Sequence, residues 1–391
     1  MSETSMRREI EEELKGHIIP FWEGLKDPDN GGFYGYLSYD LILDKNAGKG
    51  VILNSRILWF FSEAARVLKD PSLLPYADCA YRFLVDHCVD TENGGVYWSV
   101  SATGEPVDTT KHTYNQAFAI YALSAYYRAT GNADAKALAA SLFHLIESRM
   151  KDEGGYLEAF DDTFHPVSNE KLSENGVLAG RTMNTILHVI EAYTGYVEAT
   201  DDKDARAALR EALMITRDKI YLPDKKRLGV FFDADYHSLI DLYSYGHDIE
   251  AAWLIDRALD AVGDPDLTKE MHQITDTLVD EVYREGFDGQ SIPVECEKGV
   301  VKGDRVWWVQ AEAINGFLEN VDRHPEHTDY VKAAEAEWEY IKRYIIDKRK
   351  GSEWFWYANP DGTPSHDPIV EPWKCPYHNG RMCLNVIERE V

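Results

Sequence analysis

Apolar side chains recur along this chain at steps of three and four, the period of one face of an α-helix. Phe118, Tyr121, Ala122, Ala125 and Tyr126 form one such series, and Ile186, Leu187, Ile190 and Tyr193 form another. Turn signals such as Thr130-Gly131-Asn132, Asp264-Pro265-Asp266 and Asn359-Pro360-Asp361-Gly362 close the stretches off. Over this pattern lies a repeat, a Gly or Gly-Gly followed by aromatic or β-branched residues. Its copies begin at Gly31, Gly94, Gly154, Gly229, Gly286 and Gly351, with spacings of 63, 60, 75, 57 and 65 residues. Each interval holds two helical stretches, so the pattern predicts six helical hairpins, about twelve helices in all.

One stretch of each pair is the more apolar and opens on a dense cluster of polar and aromatic side chains. Arg56, Tyr114, Asn184, His247, Trp308 and His378 occupy matching places in these openings, 58, 70, 63, 61 and 70 residues apart. If the hairpins close into a ring, all six openings meet at one end of an inner helical barrel. That predicts an all-α fold, an (α/α)6 barrel forming one domain over residues 1–391. No linker or low-complexity segment interrupts the series. The competing architecture is an open helical solenoid, which would spread these residues along a groove.

Composition then narrows the partners. With 41 Lys and Arg against 68 Asp and Glu, the formal charge is −27, which repels nucleic acid and anionic lipid alike. Since 44% of residues are hydrophobic and 12% aromatic, the charge belongs to a folded protein, with the acids expected on the outer helices and not in the site. Neither a secretory leader nor a membrane-length apolar run is present, so a cytoplasmic protein is expected. Cys79, Cys88, Cys296, Cys375 and Cys383 form no CxxC pair, which predicts free thiols and neither a disulfide framework nor a zinc site.

Helix N-termini present unpaired N–H groups and partial positive charge, so a ring of them suits developing anions. On that ring His247 and Glu250 stand at i, i+3, while Asn184 with His188 and Trp308 with Glu312 stand at i, i+4, each pair on one helix face. Glu250 could orient His247, or the two could be metal ligands awaiting a third and fourth. Each residue also has a plainer reading: packed histidines, core tryptophans (Trp307 above all), and Arg56 in a buried ion pair. What favours chemistry is their common register. There is no GxGxxG after a strand, no complete phosphate loop around Gly48-Lys49-Gly50, and no GxSxG elbow. Histidines with flat aromatic rings suit proton transfer on a neutral sugar.

The strings Val51 to Trp59, Lys111 to Gln116, Arg181 to Asn184 with His188, Tyr245 to Glu250, Val306 to Glu312 and Trp373 to Arg381 closely resemble those of the cellobiose 2-epimerases, in the N-acylglucosamine 2-epimerase superfamily. The resemblance runs the length of the chain. It implies an (α/α)6 barrel and reversible C2 epimerisation of the reducing-end glucose of β-1,4-linked disaccharides, cellobiose giving glucosyl-mannose and lactose giving epilactose. It also implies His247 and His378 as the acid/base pair and His188 at ring opening. Arg56 and Asn184 would hold the oxyanion, and Glu250 and Glu312 would orient histidines. Tyr114, Trp308, Trp354 and Trp373 would line the sugar subsites, with Glu295 and the Ser352–Tyr357 loop beside the second sugar. No cofactor and no metal are expected; the partner is a small-molecule disaccharide, and a monomer is expected.

Relatives in the superfamily act on N-acetylglucosamine or free mannose, so those are the alternative substrates. A glycoside hydrolase on the same barrel would need two carboxylates flanking the bond. A non-catalytic sugar-binding barrel would leave C2 hydrogen unexchanged.

Overall fold

The computed structural model describes residues 3–389. Six outer helices alternate with six inner ones. The first outer helix is α1 (Glu3–Glu13), continued through a π turn at Leu14–Ile18 into α2 (Ile19–Glu23); the others are α4 (Leu74–Phe83), α6 (Ala133–Arg149), α8 (Lys203–Ile215), α10 (Pro265–Glu285) and α12 (Thr328–Tyr340). The inner six are α3 (Val51–Val67), α5 (Thr113–Thr130), α7 (Met183–Thr200), α9 (Tyr245–Val262), α11 (Trp307–Arg323) and α13 (His378–Glu388). Each inner helix packs on the next, and α13 returns to α3. The twelve helices therefore close into the (α/α)6 barrel, not an open solenoid.

Burial follows position. In α10 the buried apolar residues are Leu267, Met271, Ile274, Leu278, Val279 and Val282, a single stripe facing inward. In α5 every residue from Thr113 to Tyr126 is buried, because an inner helix meets outer helices on one side and the barrel interior on the other. At the closed end the inner-to-outer turns are tight. Gly131 ends α5 at φ 72° and Asn132 at once caps α6; Gly263 and Asp264 do the same between α9 and α10.

At the open end the fold departs from a purely helical reading. The residues leading into an inner helix pair antiparallel with the loop of the next hairpin: Lys49–Gly50 with Ser99–Val100, Lys111–His112 with Ala159–Phe160, Arg181–Thr182 with Phe231–Phe232, Leu242–Ser244 with Glu295–Glu297, and Arg305–Val306 with Tyr357–Ala358. A bridge between Leu37 and Val370 joins the last loop to the first. This lacing holds the six inner N-termini together. Helical periodicity carries no trace of it, since each pair is only two or three residues long.

The repeating loops share an electrostatic peg as well. Asp27 accepts from the Asp29 and Asn30 backbone N–H groups and pairs with Lys49 at 2.8 Å; Asp90 does the same with Glu92, Asn93 and Lys111, also at 2.8 Å. Asp152 with Arg181 and Asp288 with Arg305 repeat the arrangement. Each cation stands just before an inner helix, so the peg fixes where that helix begins. Lys49 and Asp27 are fully buried, and losing one partner of such a pair costs about 3–5 kcal/mol.

Candidate active site

The inner helices present side chains to the barrel interior in three layers, set by the helical repeat. The upper layer comes from their first turn: Tyr114, Asn184 and Trp308 are the second residues of α5, α7 and α11, His247 is the third of α9, and His378 opens α13. One turn deeper, at the sixth residue, stand Arg56, Phe118, His188, Glu250 and Glu312. The ninth residues, Trp59, Tyr121, Glu191, Trp253 and Asn315, form the floor. Arg56 is thus one turn below the residues with which the sequence register aligned it.

Above the floor lies a cavity of about 300 Å³. It brings together Arg56, Tyr114, Asn184, His188, His247, Glu250, Glu295, Trp308, Trp373 and His378. Two imidazoles pack near one indole: the ring centroids of His247 and His378 lie 4.8 and 5.4 Å from that of Trp308. Gly246 makes this possible, because a Cβ there would come within 2.6 Å of both the Trp308 ring and Val309.

Each histidine is tied through Nδ1, and to a different group. His378 Nδ1 is 2.8 Å from Glu312 Oε1, His188 Nδ1 is 2.8 Å from Glu191 Oε2, and His247 Nδ1 is 2.7 Å from Ser244 Oγ. In all three rings Nε2 is left for other partners. Burial pushes the pKa values of His247 and His378 down to about 3, and that of His188 downward too, so the neutral imidazole dominates at neutral pH.

Beneath the histidines Arg381, fully buried, gathers three carboxylates. It donates to Glu250 at 2.5 Å, to Glu312 at 2.7 Å and to Glu191. Tyr377 also donates to Glu191. Burial raises all three acids, but the Arg381 charge and the histidine hydrogen bonds outweigh it at Glu191 and Glu312 and hold each at about 2. At Glu250 burial and the neighbouring Glu312 charge prevail, raising it to about 8. The other oxygen of Glu312 accepts from Trp253 Nε1 at 3.0 Å and Asn315 Nδ2 at 3.2 Å.

Arg56 is buried without a carboxylate partner among the described residues, so the buried-ion-pair reading does not apply. It donates to Tyr114 Oη at 2.8 Å and the Trp373 carbonyl at 3.2 Å, and packs its guanidinium on Phe118 and Tyr377. Its Nε and the Asn184 Oδ1 are buried and unpaired. One cationic donor and one amide oxygen therefore remain for a ligand.

Three expectations need correction. Glu250 does not orient His247: the i, i+3 spacing puts them on one face, but Glu250 turns down to Arg381 and comes within 3.8 Å of His378 Nδ1 instead. Trp354 does not line the cavity. It is wholly buried against the first outer helix, where its Nε1 donates to Glu13, and alternation along the extended segment turns Trp356 into the cavity in its place. Nor does the acidity stay on the outer helices, since Glu191, Glu250 and Glu312 sit at the bottom of the site. The donors that converge, Glu250, Glu312 and His378, lie within 4.8 Å of one another, but Arg381 is already bound to both carboxylates and would repel a metal cation.

Sequence reasoning also missed several residues. Glu191 repeats, after His188, the i, i+3 spacing noted at His247, and Arg381 closes the motif that contains His378, so both had a signal. Leu172, Glu174 and Asn175 line the cavity from the long excursion between Phe160 and Arg181. Asn175 anchors that excursion to Glu295 and Glu297, both at 3.1 Å. Helical periodicity has nothing to say about such a loop. Among the described residues no helix is long and apolar enough to cross a membrane, and all five cysteines are free.

The sequence profile of the N-acylglucosamine 2-epimerase (GlcNAc 2-epimerase) family matches residues 32–380. A cellobiose 2-epimerase of Eubacterium cellulosolvens is 52% identical over 398 aligned residues, covering 98% of each chain. A solved sugar epimerase from a ruminal bacterium superposes with a TM-score of 0.97 at 50% identity, covering 99% of each chain. The solved cellobiose 2-epimerase of Bacillus thermoamylovorans gives 0.96 at 44%, covering 99% of this chain and 100% of its own.

Proposed function

The chain belongs to the N-acylglucosamine 2-epimerase family, and we propose that it reversibly epimerises C2 of the reducing-end glucose in β-1,4-linked disaccharides, cellobiose to glucosyl-mannose and lactose to epilactose. The observation that carries this reading is the pair of imidazoles, His247 and His378, that share one cavity and lie 4.8 and 5.4 Å from the Trp308 ring.

Inverting C2 without redox chemistry means opening the ring, removing the proton α to the C1 aldehyde, and returning a proton to the opposite face. Two faces call for two carriers. In the proposed sequence His188, held by Glu191, serves ring opening at the C1 oxygen. One of His247 and His378, neutral, takes the C2 proton through Nε2 and becomes imidazolium, while the other, first protonated from solvent, returns a proton to the opposite face and becomes neutral; the roles exchange in the reverse direction. The intermediate enediolate gathers negative charge on oxygen. Arg56 supplies a buried cation for it with no competing carboxylate, while the unpaired Asn184 Oδ1, an acceptor, suits a sugar hydroxyl beside it. Trp308, Trp356 and Trp373 offer flat faces to the sugar rings, and Glu295, on the anchored ribbon, a polar contact for the second sugar.

A glycoside hydrolase would need two carboxylates turned to the scissile bond. Here Glu191, Glu250 and Glu312 are committed to Arg381 and Glu295 to Asn175 and Lys302, so that among the described residues Glu174 alone of the lining acids has no such bond, which argues against a hydrolytic pair.

The test is cellobiose in deuterated water, followed by NMR, beside lactose, N-acetylglucosamine and mannose. Glucosyl-mannose carrying one deuterium at C2 is expected. Free glucose as the main product, or no exchange at C2 of either disaccharide, would overturn the proposal.

A further inference from the structure

Ser244 is the N-cap residue of α9, and serine is among the best capping side chains because its oxygen can accept from a first-turn N–H. Here it makes no such bond. At the corresponding places His112 caps Tyr114 of α5 and Thr182 caps Thr185 of α7. The Ser244 hydroxyl is instead directed to the side chain of the third helical residue, His247, with Oγ 2.7 Å from Nδ1. It is held there from behind, since Ser244 is 4% exposed and its strand pairs it with Glu295.

From this diverted cap we propose that Ser244 is a positioning residue for His247, fixing the ring so that Nε2 faces the sugar while leaving the imidazole without an anionic partner. This rests on reading His247 as one of the two proton carriers. The choice of a hydroxyl has a chemical consequence. A carboxylate can only accept, so Glu312 demands a proton on His378 Nδ1 and favours the imidazolium. A hydroxyl both donates and accepts, so Ser244 keeps its bond whether or not His247 Nδ1 is protonated, and favours neither charge state. The two bases therefore differ in partner: the carboxylate at His378 favours the imidazolium against the burial that lowers both rings, and the hydroxyl at His247 does not.

The test uses the full chain with Ser244→Ala and Ser244→Thr. For Ser244→Ala, kcat on cellobiose falls on the order of 10–100-fold with KM within about twofold of the parent, in keeping with the loss of a partner that orients a reactive histidine. Thermal stability hardly changes, since the hydroxyl does not cap the helix, and Ser244→Thr recovers most of the rate. An unchanged kcat in Ser244→Ala, or a loss that Ser244→Thr fails to reverse, overturns the assignment. A second readout is independent of turnover. In the sugar-free protein, histidine side-chain 15N NMR should show His247 Nδ1 hydrogen-bonded in the parent and a changed Nδ1 shift confined to His247 in Ser244→Ala, whereas an identical His247 spectrum overturns the proposal. Absence of C2 exchange in the parent protein would refute the epimerase reading and leave the NMR result to judge Ser244.

Discussion

The carboxylate of Glu312 binds His378 Nδ1 with one oxygen and uses the other to receive Trp253 and Asn315 from the barrel floor. Arg381 shares the first oxygen. Every lone pair facing a donor is thus engaged, and the anion cannot rotate away from the histidine it supports.

Glu312→Gln keeps the shape and removes the charge, and its NH2 group must face at least one of these donors. We expect kcat to fall about 10²- to 10³-fold, within the range that acid–base catalysis contributes, with KM little altered. Steady-state kinetics on cellobiose check this, and a kcat equal to the parent's would show that His378 does not depend on that charge.

Removing either proton carrier should be more severe. His247→Ala and His378→Ala are expected to remain folded by circular dichroism and to lose nearly all C2 exchange. Full activity in either variant would leave the two-carrier scheme untenable.

Arg381→Met strands Glu191, Glu250 and Glu312 in the interior with no cation. Breaking a buried charged network in this way costs about 3–5 kcal/mol. A urea titration should show the loss, with Arg381→Lys intermediate because an ammonium lacks the planar fork that reaches several carboxylates at once. A variant as stable as the parent would mean that the acids take up protons without penalty.

Glu250 gives stability a pH dependence of known sign. Its pKa rises from 4.5 to about 8 on folding, so the folded chain holds that proton more tightly than the unfolded one. Its contribution is complete below about pH 4.5 and is lost as pH rises through about 8, at no more than about 1.4 kcal/mol per pH unit. Glu250→Gln abolishes this slope, and the stability of the variant relative to the parent should grow between pH 5 and pH 8. Other buried acids, Glu158 and Asp256 among them, titrate alike in both proteins and cancel. A difference that does not vary with pH would place the proton elsewhere.

Trp354 and Trp356 separate packing from recognition. Trp354→Phe loses the bond to Glu13, worth about 1 kcal/mol, and should leave kinetics unchanged. Trp356→Ala should raise KM for cellobiose, by about tenfold if its ring stacks on a sugar with about 1.4 kcal/mol. The reverse pattern would return Trp354 to the site.

Much of this protein was legible in its sequence because a helical barrel is built from local rules repeated six times. Residues three or four apart share a helix face wherever the helix lies, so the hairpins, the glycine loops and the alignment of Tyr114, Asn184, His247, Trp308 and His378 could be read from spacing. The same rule brought Glu250 and Glu312 to the layer below. It could not say which group each carboxylate would meet. His247 and Glu250 share a face, yet their partners, Ser244 and Arg381, lie respectively on the preceding strand and on α13. Arg381 lies 131 residues from Glu250 and meets it only because the ring closes. The inward turn of Trp356, the anchoring of Asn175 on Glu295 and the sinking of three acids beneath the histidines likewise depend on loops and closure. Periodicity reports which side of a helix faces in, whereas the charges a residue meets there are set by the other helices, and only the closed ring decides them.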